Sequence, residues 1–99
     1  MTTLDAFRES VTGISPPDDA RPALQALWWA AKGDWKQAHK VVQGHGEDPE
    51  CHWVHAHLHH QEGDMSNAGY WYRRAGKSPA TVSLGEEWDT IAAALLAAS

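Results

Sequence analysis

Five histidines, His52, His55, His57, His59 and His60, fall within nine residues, with Cys51 just before them and Glu62 just after. Imidazole, thiolate and carboxylate ligate transition metals and move protons near neutral pH, so chemistry is sought here first. On a helix advancing about 100° per residue, Cys51, His55 and Glu62 come within about 40° of one another, with His59 about 40° further round. His55 and His59 are four apart, a spacing that lets two imidazoles approach one ion, and Cys51 or Glu62 offers a third ligand. The stronger zincin pattern needs glutamate directly after the first histidine, where this chain has Ala56. One straight helix rarely offers four ligands to a tetrahedral ion, so His39 or His45 of a neighbouring helix would have to help. Zinc or nickel is the cofactor this reading implies; the alternative is a histidine-rich face of partly buried neutral rings, each with a hydrogen-bond partner.

A second constellation follows the turn at Gly63-Asp64. Asn67, Tyr70, Arg73 and Lys77 recur at helical spacings of three and four. A helical hairpin would bring that face near His55, His59 or Glu62, giving donors, acceptors and aromatic walls for an acidic peptide or a carboxylate ligand. The competing reading is an ion pair of Glu62 with an arginine beside solvated tyrosines. Of the six tryptophans, Trp28 and Trp88 lie on apolar stripes and read as core. Trp29, Trp53 and Trp71 lie off the stripes, as candidates for a groove or dimer face, and Trp35 reads as a lock on the first hairpin.

The elements that must position these residues are helices. Sixteen alanines against five valines and two isoleucines favour helix over sheet. Breaks fall at residues 13–22, 44–49 and 76–80, with tight turns at Gly33-Asp34 and Gly63-Asp64. Apolar residues recur every three or four positions in six segments, led by Leu4-Phe7-Val11, Leu24-Leu27-Trp28, Trp35-Ala38-Val42, Val54-Leu58, Met65-Ala68-Tyr72 and Leu84-Trp88-Ile91. Asp34 with Gln37 and Ser83 with Glu86 have capping-box spacing, and Asp48-Pro49-Glu50 starts a helix. The expected fold is all-α, with five to six helices in antiparallel hairpins and no strand.

Shifting the chain by 30 residues aligns Ala26 with Ala56, Gly33-Asp34 with Gly63-Asp64, Ala38 with Ala68, Gly46 with Gly76 and Pro49 with Pro79. These are the small-residue, turn and boundary positions of a helical hairpin. The predicted organisation is one domain over 1–99: a capping helix and loop (1–19), two repeats (20–49 and 50–79) and a second capping helix (80–99). "GDWKQA" and "GDMSNAGYWYRRA" resemble the second-helix half of a tetratricopeptide repeat. Gly63, Ala68, Tyr72 and Ala75 stand at that family's spacings, whereas Met65, Val42 and His45 depart from it, as does a period shorter than the usual of about 34. The resemblance implies a short array that binds protein or peptide without catalysis. The histidine-rich stretch also resembles small bacterial proteins, a likeness that implies no activity.

The net charge of −5 argues against nucleic-acid or anionic-membrane partners. A single cysteine fits a reducing cytoplasm, the N-terminus lacks the order of a signal peptide, and the apolar run 91–98 is too short for a bilayer. There is no nucleophile elbow or phosphate loop, and Cys51 beside His55 reads as inert packing, so no enzyme is expected. The first expectation is an interaction module that meets a partner protein or a second copy through Trp53, His55, His59, Glu62, Asn67, Tyr70, Trp71 and Arg73. The alternatives are a metal-binding protein using Cys51, His55, His59 and Glu62, and a small ligand-binding protein or enzyme with a pocket of His55, His59, Glu62 and Arg73.

Overall fold

The repeated Gly-Asp pairs show how the chain turns one helix into the next. In a computed structural model that describes residues 3–98, Gly33 and Gly63 adopt φ of 86° and 80°. Residues without a Cβ reach that left-handed region at no steric cost. The aspartate that follows then caps the next helix: Asp34 accepts from the Gln37 amide at 3.0 Å and Asp64 from the Asn67 amide at 3.2 Å. Ser83 and Asp48 cap two further helices as the sequence predicts, through the Glu86 and Glu50 amides.

Six helices result among the described residues: α1 (Leu4–Ser10), α2 (Pro22–Ala31), α3 (Trp35–Gln43), α4 (Pro49–Gln61), α5 (Met65–Ala75) and α6 (Leu84–Ala97). No strand occurs among the described residues, so the fold is all-α, at the upper end of the predicted helix count. Among the described residues no helix is long and apolar enough to cross a membrane.

Helix α4 is the axis of the molecule. It packs against α2, α3, α5 and α6, while α6 also packs against α2 and α1. Cys51, His52 and residues 54–59 of α4 are all buried. A helix wrapped on every side shows no single apolar stripe, which is why Val54 and Leu58 alone marked it in the sequence. The main core joins Phe7, Leu24, Leu27, Trp28, Val54, Leu58, Trp88 and Ile91. Each aliphatic side chain fully buried there contributes roughly 1.5–3 kcal/mol. Trp28 and Trp88 are core as expected, and the Trp88 indole donates to the Leu27 carbonyl at 2.8 Å. Arg21 ties three helices at one end: its guanidinium grips Glu50 of α4 through two bonds of 3.1 Å and donates to the Leu95 carbonyl of α6.

Candidate metal centre

The histidines of α4 divide among three neighbours because successive turns of a wrapped helix face different elements. His52 bonds the carbonyl of Gly46 in the α3–α4 loop at 2.7 Å. His55 and His59 face the groove between α3 and α5. His57 and His60 face α6.

The groove holds a continuous run of rings. Trp71 of α5 stacks on His55, with centroids 3.9 Å apart and planes 13° from parallel. His55 meets His39 of α3 edge-on, with a centroid distance of 4.8 Å and Nε2 atoms 3.1 Å apart. His39 in turn stacks on Trp35 at 4.6 Å and 13°. The Trp35 indole N–H is fixed by the Leu58 carbonyl of α4 at 2.7 Å, so its bond ties α3 to α4 and not the two helices of the first hairpin, where the sequence put its lock. His59 closes the group, 4.9 Å from His55 and 5.4 Å from His39.

One nitrogen from each of His39, His55 and His59 can be chosen so that all lie within 4.8 Å of one another. Three imidazoles on zinc at about 2.1 Å need nitrogens about 3.4 Å apart. The 3.1 Å pair and the 4.8 Å bound bracket that distance, so small ring rotations suffice. The protonation chemistry also suits an ion, which takes imidazole only in its neutral form. Burial, followed by the repulsion of His39, His59 and His52, pushes the His55 imidazolium down to about 3. Burial and the nearby His59 lower His39 as well, against an opposing pull from Glu62. Glu62 accepts from Nδ1 of His59 at 2.5 Å, which leaves Nε2 of that ring for a ligand. A carboxylate behind a ligating histidine fixes the ring's tautomer and orientation.

The set differs from the sequence expectation at several places. Cys51 does not join it. One helical turn below His55 and two below His59, its thiol faces Asp48 at 3.6 Å. Burial, then the charge and hydrogen bond of Asp48, push that thiol up to about 12. Glu62 forms no group with His55; it stands with His59 and Asp64, since the helix has ended and Glu62 occupies its C-cap. His39, named in the sequence only as a possible helper, supplies the third imidazole, and His45 stays exposed in the loop.

The remaining candidates are dispersed. Asn67 is spent on the α5 cap, where its amide bonds Asp64 at 2.8 Å. Arg73 is exposed beside Gly69 and makes no ion pair with Glu62. Arg74 lies over the rings of both Tyr70 and Trp71, at 5.8 and 5.4 Å. Trp53 is half-buried beneath Lys77, whose ammonium lies 4.4 Å from its ring. Trp71 is a wall of the histidine cluster.

A second polar centre, not anticipated in the sequence, lies on the opposite side of α4. Glu87 of α6, only 4% exposed, accepts from His57 Nδ1 at 2.6 Å, from His60 Nδ1 at 3.0 Å and from the Tyr72 hydroxyl. Burial pushes the carboxyl up, but the three donors outweigh it and hold it below the ordinary range. The same arrangement raises Tyr72, by burial first and then by its bond to Glu87. The only trace of this centre in the sequence is that His57 and His60 replace apolar Leu27 and Ala30 of the first repeat.

No known protein family, curated protein or solved structure matches the chain, so its own residues carry the functional reading.

Proposed function

We propose that the protein binds one divalent transition-metal ion through His39, His55 and His59. The convergence of three aromatic-walled imidazoles from two helices, two of them disfavoured as imidazolium by burial, carries this reading. The donor set is all nitrogen, which suits zinc, nickel or copper and disfavours magnesium or calcium. The ion would clamp α3 to α4, with water or an outside donor at its fourth position. Elemental analysis of protein purified without an affinity tag tests the proposal. One equivalent of metal should be retained, and free zinc at a hundred times its Kd should stabilise by about 2.7 kcal/mol, roughly 10–20 °C in Tm. Both effects should vanish in His39→Ala and His59→Ala. Tag-free protein with neither stoichiometric metal nor a zinc- or nickel-dependent Tm shift would sink the reading.

A second reading is favoured by the outer face of α5, where Tyr70 is 44% exposed under the Arg74 guanidinium beside Trp71. That edge suits a tetratricopeptide-like module docking a partner protein or a second copy in the cytoplasm, since interface anchors are enriched in tyrosine, tryptophan and arginine. Sedimentation of the parent chain and of Tyr70→Ala and Trp53→Ala variants tests the self-association form. A parent chain that stays monomeric at high concentration removes it.

A further inference from the structure

The three imidazoles make an incomplete shell. Among the described residues no further histidine, cysteine, aspartate or glutamate comes within the 4.8 Å that gathers His39, His55 and His59. Cys51 is turned to Asp48, and Glu62 is occupied with Nδ1 of His59 at 2.5 Å. Structural zinc sites close on four protein ligands, whereas sites that exchange a water or a substrate keep three and an open position. This group is of the second kind.

His55 and His59 are buried, whereas His39 is half-buried and Glu62 exposed, so a ligand approaches past the last two. Trp71 stacked on His55 and Trp35 stacked on His39 hold those two ring planes. Charge then chooses the occupant. A divalent ion bound by three neutral rings keeps both of its charges and is the largest local charge in such a site. Glu62, one ring away, offsets one of them. Asp64, the other carboxylate grouped with His59, is turned to Asn67, bonding its amide at 3.2 Å and its side-chain nitrogen at 2.8 Å. A positive excess therefore remains where the fourth donor must sit, about 2 Å from the ion.

We propose that the fourth position of the ion is open and exchangeable and takes a small monoanion, which reaches it past His39 and Glu62. The inference rests on the metal-binding reading and narrows it: the ion is a ligand-binding centre as well as a clamp between α3 and α4. Neutral donors of the same size lack the charge and bind more weakly. Glu62 is a positioning residue that fixes the ring of His59, and its own charge weakens the incoming anion.

Cobalt(II) substituted into the tag-free protein tests it, since its visible bands report a change of donor that zinc cannot. The probes are azide, acetonitrile (neutral, with the same number of heavy atoms) and perchlorate as a salt control. So small a ligand binds with a Kd no tighter than about 0.5 mM, and azide should shift the bands and saturate by about 50 mM. Acetonitrile and perchlorate should leave them unchanged, with cobalt bound at one equivalent throughout. In Glu62→Gln saturated with cobalt, azide should bind about threefold more tightly, the effect of removing one charge across about 6 Å of water. Cobalt bound at one equivalent, with bands that azide at about 50 mM leaves unchanged, would overturn the inference and spare the metal-binding reading. So would an equal response to acetonitrile, or an azide affinity no higher in Glu62→Gln. A chain that takes up neither cobalt nor zinc refutes both.

Discussion

Acid should unfold this protein through His55. Its ring is 5% exposed, stacked on Trp71 and faced by His39, and its folded value of about 3 lies below the ordinary 6.5. Between those values the unfolded chain binds a proton that the folded ring refuses. Stability therefore rises with pH: the contribution is complete above about 6.5 and is lost as pH falls from there toward about 3. At pH 4.5 the loss from this one ring is about 2 pH units, or roughly 2.7 kcal/mol. A domain of this size holds only about 5–15 kcal/mol in total. With a urea slope of about 1–1.5 kcal/mol per molar, the midpoint should fall by about 2 M between pH 7 and pH 4.5. The comparison that isolates His55 is His55→Gln, which keeps a polar group and does not titrate; Gln25 occupies the matching position of the first repeat. His39 and the carboxylates remain in both proteins, so the difference between the two midpoint curves belongs to His55. Metal-free protein should be used throughout, because an ion would hold the rings neutral. Parallel midpoints for parent and variant, within about 0.3 M over that range, would refute the reasoning.

Glu87→Ala should cost about 3–5 kcal/mol in urea denaturation, because it strands the buried Tyr72 hydroxyl and His57 Nδ1; a loss below about 1 kcal/mol would contradict the network. Cys51 should resist a thiol reagent at pH 8 at least about a thousandfold more than a free cysteine, reacting only as the chain unfolds. Rapid labelling of native protein would show that the thiol is not held against Asp48. Trp35→Phe should lose about 1 kcal/mol through the indole bond to Leu58 and weaken zinc binding, the first read from urea midpoints and the second from the zinc-dependent Tm shift. An unchanged midpoint would separate Trp35 from the α3–α4 contact.

The helices were legible because their signals are local. Gly33-Asp34, Gly63-Asp64, Asp48-Pro49 and Ser83 act within a few residues of themselves, and each terminus falls where those signals stand. The site was legible only in part. The wheel put Cys51 beside His55 by angle, but angle ignores the rise along the axis, about 12 Å over the two turns from Cys51 to His59. It also carried Glu62 on as helix, although the helix ends at Gln61. His39 could be named but not chosen, since helix packing decides which face of α3 meets α4. Glu87 was invisible for a stronger reason: its partners His57 and Tyr72 lie 30 and 15 residues away, and nothing in spacing links them.

The position of α6 has a kinetic consequence. The hairpins α2–α3 and α4–α5 join neighbours through short turns, whereas α6 closes on residues far back in the chain. Trp88 reaches Leu27 over 61 positions, Arg21 reaches Leu95 over 74, and Arg8 reaches Asp89 over 81. Closing long loops costs entropy before the contacts repay it, so the hairpins are expected to assemble first and α6 to dock onto them, an order that φ-values at Leu27 and Ile91 would check. Contacts made after the transition state govern how fast a protein opens and leave its folding rate nearly unchanged. On that order the last helix is expected to set the lifetime of the native state, and loss of the Glu87 carboxylate that it carries inward should speed unfolding far more than it slows folding.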